Sequence, residues 1–310
     1  MDHVQSALQD VRSSEVLKNY FLVTKPRLVA ANLISAAGAF FLAAQGHLSI
    51  TNFLSVMTGL SCVVASGCIF NNYIDRNIDK DMTRTCGRAL ATGAISLKGS
   101  LVYATALGMA GTAILSAGTT PLTLAIALAG FVIYVGVYSL YLKRNSAYST
   151  IIGSLAGAAP PLAAYCSARN TFDIGALLVL AIFSLWQIPH SYAITIFRYN
   201  DYAAAKIPVM SVRSGISATK RHIIWHTVAF ILGAQMLTAF GYAGHAYLAV
   251  ATGLGLCWLC MALHGYKTCD DRLWSRRLYL FSILTIFILS IMMSIDFAKP
   301  PAGMIAMGQL

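Results

Sequence analysis

The sequence predicts an all-α membrane protein, a polytopic bundle of nine transmembrane helices. The chain is 57% apolar and only 11% charged, whereas soluble domains carry about 25% charged residues. Six long stretches contain no Asp, Glu, Lys or Arg: 28–74, 99–142, 145–168, 174–197, 222–266 and 278–295. Since a membrane helix needs about 20 apolar residues, each stretch of about 45 residues is predicted to hold two helices and each shorter one a single helix.

Polar or turn residues divide the three longest stretches, at 45–47, 118–121 and 241–245. Each uncharged run is expected to be helical because backbone groups in lipid must be hydrogen-bonded within the segment. In chain order, the predicted spans are 26–45, 49–69, 99–117, 121–141, 147–166, 173–193, 223–243, 246–265 and 278–296. Small residues such as Gly153 and Gly157 let helices approach closely. We therefore expect a packed bundle whose interior can hold a ligand.

The distribution of Lys and Arg predicts the orientation. If the N-terminus is cytoplasmic, 20 of the 22 basic residues fall on the cytoplasmic side, and only Arg169 and Lys299 do not. The C-terminus is then periplasmic, and the expected location is a bacterial inner membrane. The basic residues are spread over several loops, so the net charge of +11 does not indicate a nucleic-acid partner.

We expect a single membrane-embedded domain over residues 1–310, with residues 1–24 as a cytoplasmic N-terminal segment. The loops on the external side are short, whereas the cytoplasmic segments 70–98 and 194–222 are long. Because loops held by a rigid scaffold commonly carry function, these two segments are predicted to form the active site.

The sequence "NNYIDRNIDKD" at 71–81 contains three of the eleven acidic residues of the chain. Asn71, Asp75 and Asp79 are spaced four residues apart, and Asn72 is three residues before Asp75. If the second span continues as a helix, their oxygens share one face. Mg²⁺ is bound by one or two carboxylates together with substrate phosphates, so this face suits a Mg²⁺–diphosphate site. The alternative is a solvated helix with intrahelical ion pairs.

A second set of residues beside the acidic stripe is basic, with Arg76, Lys80 and Arg84 at the same spacing. Such cations can bind diphosphate oxygens. Arg84 also begins the stretch "RTCGR", which adds a further basic residue, Arg88. The stretch therefore offers oxygen ligands for a metal and cations for an anion side by side.

These motifs resemble the signature of the UbiA-type intramembrane prenyltransferases, N-D-x-x-D-x-x-x-D followed by R-T-x-x-R. Asn72 departs from it, since many relatives have Asp at this position. The resemblance covers nearly the whole chain. The stretches "WQIPH" at 186–190 and "DYAAAKIP" at 201–208 resemble the branch of this family that farnesylates haem.

The resemblance implies transfer of a farnesyl group from farnesyl diphosphate to a vinyl group of haem b (protohaem IX), with addition of water, to give haem O. It implies Mg²⁺ as cofactor, with Asn71, Asp75, Asp79 and Asp201 as ligands. The second acidic motif of the family usually has two or more Asp residues, but here only Asp201 is present. The diphosphate would be bound by Asn71, Asn72, Lys25, Arg27, Arg76, Lys80, Arg84, Arg88 and Lys206.

Two further residues are candidates for the chemistry. Tyr138 is expected to stabilise the allylic cation with its ring, although Tyr138 and Tyr141 also fit an interfacial aromatic belt. His190 is expected to ligate haem iron or to accept a proton from water. The alternative for His190 is a hydrogen bond to a carbonyl group that Pro189 leaves free.

The remaining expectations concern the haem and the partners. Arg213, Lys220 and Arg221 are candidates to bind the haem propionates. A terminal oxidase or a haem A synthase would receive the product. Two other functions stay open: a UbiA-type prenyltransferase with an aromatic acceptor such as a hydroxybenzoate, and an ion-coupled transporter. A transporter is disfavoured because the predicted spans carry no charge near the bilayer midplane.

Overall fold

The computed structural model describes residues 14–298. Nine helices in this part of the chain are long and apolar enough to cross a membrane, which confirms the predicted number. They are α1 (Pro26–Ala44), α2 (Ile50–Asp75), α3 (Leu97–Gly118), α4 (Pro121–Asn145), α5 (Ser149–Arg169), α6 (Ile174–Phe197), α7 (Ile216–Ala239), α8 (His245–His264) and α9 (Asp271–Ile295). Of the predicted cytoplasmic segment 1–24, residues 1–13 lie outside the described residues, and 14–23 are helical.

Three helices extend six or seven residues further than predicted, all at ends rich in polar residues. Helix α2 continues to Asp75 rather than ending at residue 69, and α7 and α9 begin at Ile216 and Asp271 rather than at 223 and 278. A capping bond fixes the start of α9, where the Asp270 carboxylate accepts from the backbone N–H of Leu273 at 2.9 Å. Charge patterning marks where the apolar core ends, but a helix can continue into the headgroup region.

Helix α4 departs from α-helical geometry over Ile133–Leu142, where it is a π-helix. In this segment the backbone hydrogen bonds join residues five apart, an irregularity that was not predicted from the sequence. The Ser139 hydroxyl donates to the carbonyl oxygen of Tyr134 at 2.8 Å. The rings of Tyr134 and Tyr138 are stacked with centroids 6.1 Å apart. This widened turn decides which side chains of α4 face the interior.

The described helices enclose an interior space, and the first of the nine spans packs against the ninth. Helix α1 packs against α2, α5 and α9, while α5 packs against α1, α4 and α6. The two glycines of α5 make room for side chains of neighbouring helices. A Cβ atom at Gly153 would lie 3.0 Å from the Tyr138 ring, and one at Gly157 would lie 2.0 Å from Oε1 of Gln187. The Gly-x-x-x-Gly spacing therefore shapes the cavity wall.

The two long polar segments lie together at one end of the bundle. The first contains a 3₁₀ turn, Ile78–Asp81, and the second contains short helices at Tyr199–Ala204 and Met210–Arg213. Met82 packs with Ile207 and Val209 in a small apolar cluster. This contact confirms only that the segments are neighbours; which side of the membrane they face stays a prediction.

Candidate active site

A cavity of about 740 Å³ opens at the end of the bundle where the two polar segments meet. Its walls are mainly apolar side chains of α1, α2, α4, α5, α6 and α9, and ionisable groups collect on one part of its surface. Nine of the predicted site residues line it: Lys25, Arg27, Asn71, Asp75, Asp79, Arg84, Arg88, Tyr138 and His190.

Asp75 is the most deeply buried acid of the site, with 1% of its surface exposed. Its Oδ2 accepts from Nζ of Lys143 at 2.5 Å and from Nδ2 of Asn71 at 3.0 Å. Arg144 approaches Oδ1 at 3.8 Å, outside hydrogen-bond range. Within the described chain, Oδ1 has no hydrogen-bond partner. A buried carboxylate oxygen that receives no hydrogen bond is well suited to coordinate a cation.

Lys143 also belongs to the site, although it was not predicted from the sequence. In an α-helix, a residue five positions after Tyr138 lies well away from it around the helix axis. In the π-helix, the backbone N–H of Lys143 bonds the carbonyl oxygen of Tyr138, and both side chains line the cavity. Only the irregular geometry of α4 brings Lys143 to Asp75.

Asn71 connects a cation to this carboxylate. Its Oδ1 accepts from Nζ of Lys25 at 2.6 Å, and its Nδ2 donates to Asp75 and to the Ser139 hydroxyl, each at 3.0 Å. Lys25 precedes Pro26 in a left-handed conformation, with φ of 55°. Loss of solvent around its ammonium lowers the pKa of Lys25 to about 8.

Asp79 reaches the cavity by a route that differs from the predicted one. Helix α2 ends at Asp75, so Asp79 is not on the same continuous helix but in the 3₁₀ turn that follows. Nη1 of Arg88 donates to both carboxylate oxygens, at 2.8 and 3.0 Å. The Thr85 hydroxyl donates to the Asp79 carbonyl oxygen at 3.0 Å. The "RTCGR" stretch thus folds back onto the acid that precedes it.

Several predicted diphosphate ligands are not at the cavity surface. Asn72 donates from Nδ2 to the Val23 carbonyl oxygen at 2.9 Å and ties the N-terminal segment to α2. Arg76 donates to the Tyr73 carbonyl oxygen and lies over the ring of the same residue. Lys80 is exposed. The predicted cation stripe is interrupted because the α-helix ends at Asp75.

Asp201, the predicted fourth metal ligand, does not line the cavity. Its Oδ1 accepts from the backbone N–H of Thr83 at 3.1 Å, and Oδ2 is 3.9 Å from Nη1 of Arg198. It therefore holds the segment that carries Asp79. Lys206, the other predicted residue of this segment, is exposed.

The three predicted propionate ligands also lie away from the cavity. Arg213 and Arg221 are exposed. Lys220 is buried, pairs with Asp271 and donates to the Gly265 carbonyl oxygen at 2.7 Å. This cation joins α7 to the α8–α9 loop.

Aromatic residues and His190 form the less polar part of the cavity. Tyr134 and Tyr138 both line it, whereas Tyr141 is exposed, as an interfacial tyrosine would be. Nδ1 of His190 lies 2.6 Å from the Ser282 hydroxyl of α9, not on a carbonyl freed by Pro189. Trp186, one turn earlier, stacks on the imidazole with ring centroids 4.8 Å apart.

The carboxylates that line the cavity fit a Mg²⁺ ion that is bound partly by the protein and partly by the phosphates of a substrate. In the part of the chain that the structure describes, no three His, Cys, Asp or Glu side chains are grouped to hold a metal by themselves. Mg²⁺ does not need such a cage, because it keeps waters and takes oxygens from substrate phosphates. Asp75, with its unpartnered Oδ1, and Asp79 are the carboxylates that would hold it.

The chain is similar to a known protein family over most of its length. The model of the UbiA prenyltransferase family matches residues 32–291. The chain is 57% identical to a protoheme IX farnesyltransferase of Serratia proteamaculans, over 93% of this chain and 97% of that one. It is 56% identical to a protein of the same name from Pseudomonas savastanoi, over 91% and 95% of the two chains.

Solved structures show the same fold at low sequence identity. A structure from work on digeranylgeranylglyceryl phosphate synthase has a TM-score of 0.75 at 14% identity, covering 91% of this chain and 98% of that one. A UbiA homologue of Archaeoglobus fulgidus, bound to GPP and Mg²⁺, has a TM-score of 0.68 at 13% identity, covering 89% and 99%. The family match and these relatives show that the chain belongs to the UbiA prenyltransferase family, as its motifs predicted.

Proposed function

We propose that the protein transfers the farnesyl group of farnesyl diphosphate to a vinyl group of protohaem IX, with addition of water, to give haem O and diphosphate. The observation that carries the proposal is one cavity of about 740 Å³ whose lining joins paired acids and cations to an apolar wall with an aromatic–histidine pair. Relatives that share more than half of their residues with this chain are named protoheme IX farnesyltransferase.

The donor would bind with its diphosphate against the polar lining. Lys25, Arg88 and Lys143 supply positive charge there, and each already contacts an acid or an amide of the site. When bound, Mg²⁺ would neutralise charge that develops on the leaving diphosphate. The three cations, held in place before the reaction, stabilise the same charge without large rearrangement.

The apolar wall suits the C15 chain and the allylic cation. Tyr134 and Tyr138 present ring faces on α4, and an aromatic face stabilises a nearby cation. Gly153 and Gly157 of α5 also line the cavity, and they let the Tyr138 ring and the Gln187 side chain pack closely against this helix.

The haem acceptor is the part of the proposal that distinguishes it from its nearest rival. An enzyme with a hydroxybenzoate acceptor would bind the prenyl diphosphate in the same way. The acids of the site therefore do not distinguish a haem acceptor from a hydroxybenzoate acceptor. The relatives' shared name favours haem, as does the stacked Trp186–His190 pair on the cavity wall. An ion-coupled transporter is disfavoured by the family match.

The protein is a multi-pass membrane protein. We place it in a bacterial inner membrane with the cavity opening to the cytoplasm, because 20 of its 22 Lys and Arg residues would then be cytoplasmic. The C-terminus would be periplasmic. The product would pass to a haem A synthase or a terminal oxidase.

The test is a reconstituted reaction. Purified protein in detergent is incubated with haem b, farnesyl diphosphate and Mg²⁺, and haem O is detected by its mass. Parallel reactions replace haem with 4-hydroxybenzoate or omit Mg²⁺. Prenylation of the phenolic acid without any haem product would refute the proposal.

A further inference from the structure

The wall of the cavity between α6 and α9 contains a polar group that the donor chemistry does not use. His190 and Trp186 are stacked there, with their ring planes 21° apart. Both are hydrogen-bonded to one residue of α9. Nε1 of Trp186 donates to the Ser282 carbonyl oxygen at 2.8 Å, and Nδ1 of His190 is 2.6 Å from the Ser282 hydroxyl. Ser282 therefore fixes the position of both rings.

The hydrogen bonds of Ser282 indicate which ring nitrogen of His190 carries the proton. A serine hydroxyl has one proton to donate. Ser282 uses it on the carbonyl oxygen of Tyr279, at 2.6 Å. With the proton on that bond, the oxygen accepts from His190, and this network assigns the proton of the neutral imidazole to Nδ1 and the lone pair to Nε2. His190 lines the cavity.

We infer that Ser282 is a positioning residue that holds His190 as the Nδ1-protonated tautomer, so that Nε2 accepts the proton of the water that adds to the farnesylated haem. The inference rests on the proposed function. The farnesyl C1 bonds to the terminal vinyl carbon as its bond to diphosphate oxygen breaks. The vinyl carbon next to the porphyrin becomes electron-deficient, and the oxygen of water bonds to it. One proton leaves that oxygen for Nε2 and later returns to solvent.

The geometry favours a proton acceptor because the Trp186 and Ser282 contacts fix the ring before substrate binds. A general base contributes about 10²–10⁴-fold to a rate. An outer residue that orients a histidine contributes less, about 10–100-fold by comparison with metal-bound histidines. The effect of Ser282 should therefore appear in the water-addition step and not in donor binding.

The experiment compares Ser282→Ala with a matched control in the same helix. Ser275 is also fully buried and also donates to a carbonyl oxygen three residues earlier, that of Arg272. Among the described residues, however, its side chain is hydrogen-bonded to none that lines the cavity, whereas Ser282 is bonded to His190. We expect Ser282→Ala to form haem O about 10- to 100-fold more slowly, with an unchanged KM for farnesyl diphosphate. A farnesylated product lighter by one water should accumulate. Ser275→Ala should behave as the wild type.

Two further variants keep the test decisive if Ser282→Ala does not fold. Ser282→Thr retains the hydroxyl and should restore the rate and the hydrated product. His190→Asn can still donate to Ser282 but has no atom at the position of Nε2. Its rate of haem O formation should therefore fall at least as far as that of Ser282→Ala.

Three results would overturn the inference. One is a wild-type rate and product ratio in Ser282→Ala, and another is equal impairment in Ser282→Thr and Ser282→Ala. The third is a Soret band of bound haem b that shifts in His190→Asn, which would make His190 an iron ligand. A wild-type protein that makes no haem O would instead refute the proposed function, independently of Ser282.

Discussion

Replacement of Asp75 by Asn tests the acidic half of the site most directly. Oδ2 of Asp75 receives two donors, Lys143 and Asn71, so the amide oxygen of the variant must take this position. The amide NH₂ then points to the position of Oδ1, which could no longer ligate a cation. Lys143 also loses its negative partner, and breaking a buried pair costs about 3–5 kcal/mol of stability.

The catalytic effect should be larger than a stability change alone would produce. Loss of one group that stabilises developing charge typically costs about 10²–10³-fold, or about 2.7–4 kcal/mol. We therefore expect kcat/KM for farnesyl diphosphate to fall by about 100- to 1,000-fold, with a higher Mg²⁺ requirement. The assay measures haem O by mass over a Mg²⁺ titration, alongside thermal unfolding in detergent.

The matched control is Asp81→Asn, because Asp81 is an exposed acid of the same segment. It should retain wild-type activity and stability. If Asp75→Asn folded and kept more than about a third of the wild-type kcat/KM with an unchanged Mg²⁺ dependence, the assignment of Asp75 to the metal–diphosphate site would be wrong.

Three other predictions concern the cations. Burial lowers the pKa of Lys25 to about 8, so the protonated form that attracts diphosphate is lost above this pH. In a pH series, kcat/KM for farnesyl diphosphate should therefore fall above pH 8 in the wild type, and Lys25→Arg should remove this decline. Arg88→Gln leaves Asp79 without its partner and should raise KM for farnesyl diphosphate at least tenfold. Arg88→Lys should show a smaller rise in KM, and initial rates of haem O formation measure both. Lys220→Gln breaks the pair with Asp271 and should lower the free energy of unfolding in detergent by about 1–3 kcal/mol. This value is below that of a fully buried pair because Asp271 is a third exposed. A raised KM for haem in this variant would instead show that Lys220 binds the acceptor.

The features that could be predicted from sequence depend on local spacing or on the environment of a whole segment. The nine spans follow from apolar runs longer than a bilayer is thick. Asn71 and Asp75 share a face because four residues make about one helical turn, and their side chains are hydrogen-bonded at 3.0 Å. Family resemblance added His190, which periodicity alone could not distinguish from a packed histidine.

The features that were missed depend on irregular backbone or on contacts between distant segments. Lys143 reaches Asp75 through a π-helix, and α-helical spacing cannot indicate this. Ser282 contacts His190 across 92 positions of sequence. Asp201 and Lys220 had the residue type and the loop position that the prediction required, but each is hydrogen-bonded elsewhere. Residue type identifies candidates, whereas tertiary packing decides which of them face the cavity.

The contact between the first and the last span has a consequence for biosynthesis. Helix α9 lies against α1 and supplies Ile283 and Ile286 to the cavity wall, as well as the serine that orients His190. The ribosome has therefore made eight spans before the reaction chamber has its final wall. We therefore expect the complete cavity to form only after α9, the ninth of the described spans, has been inserted.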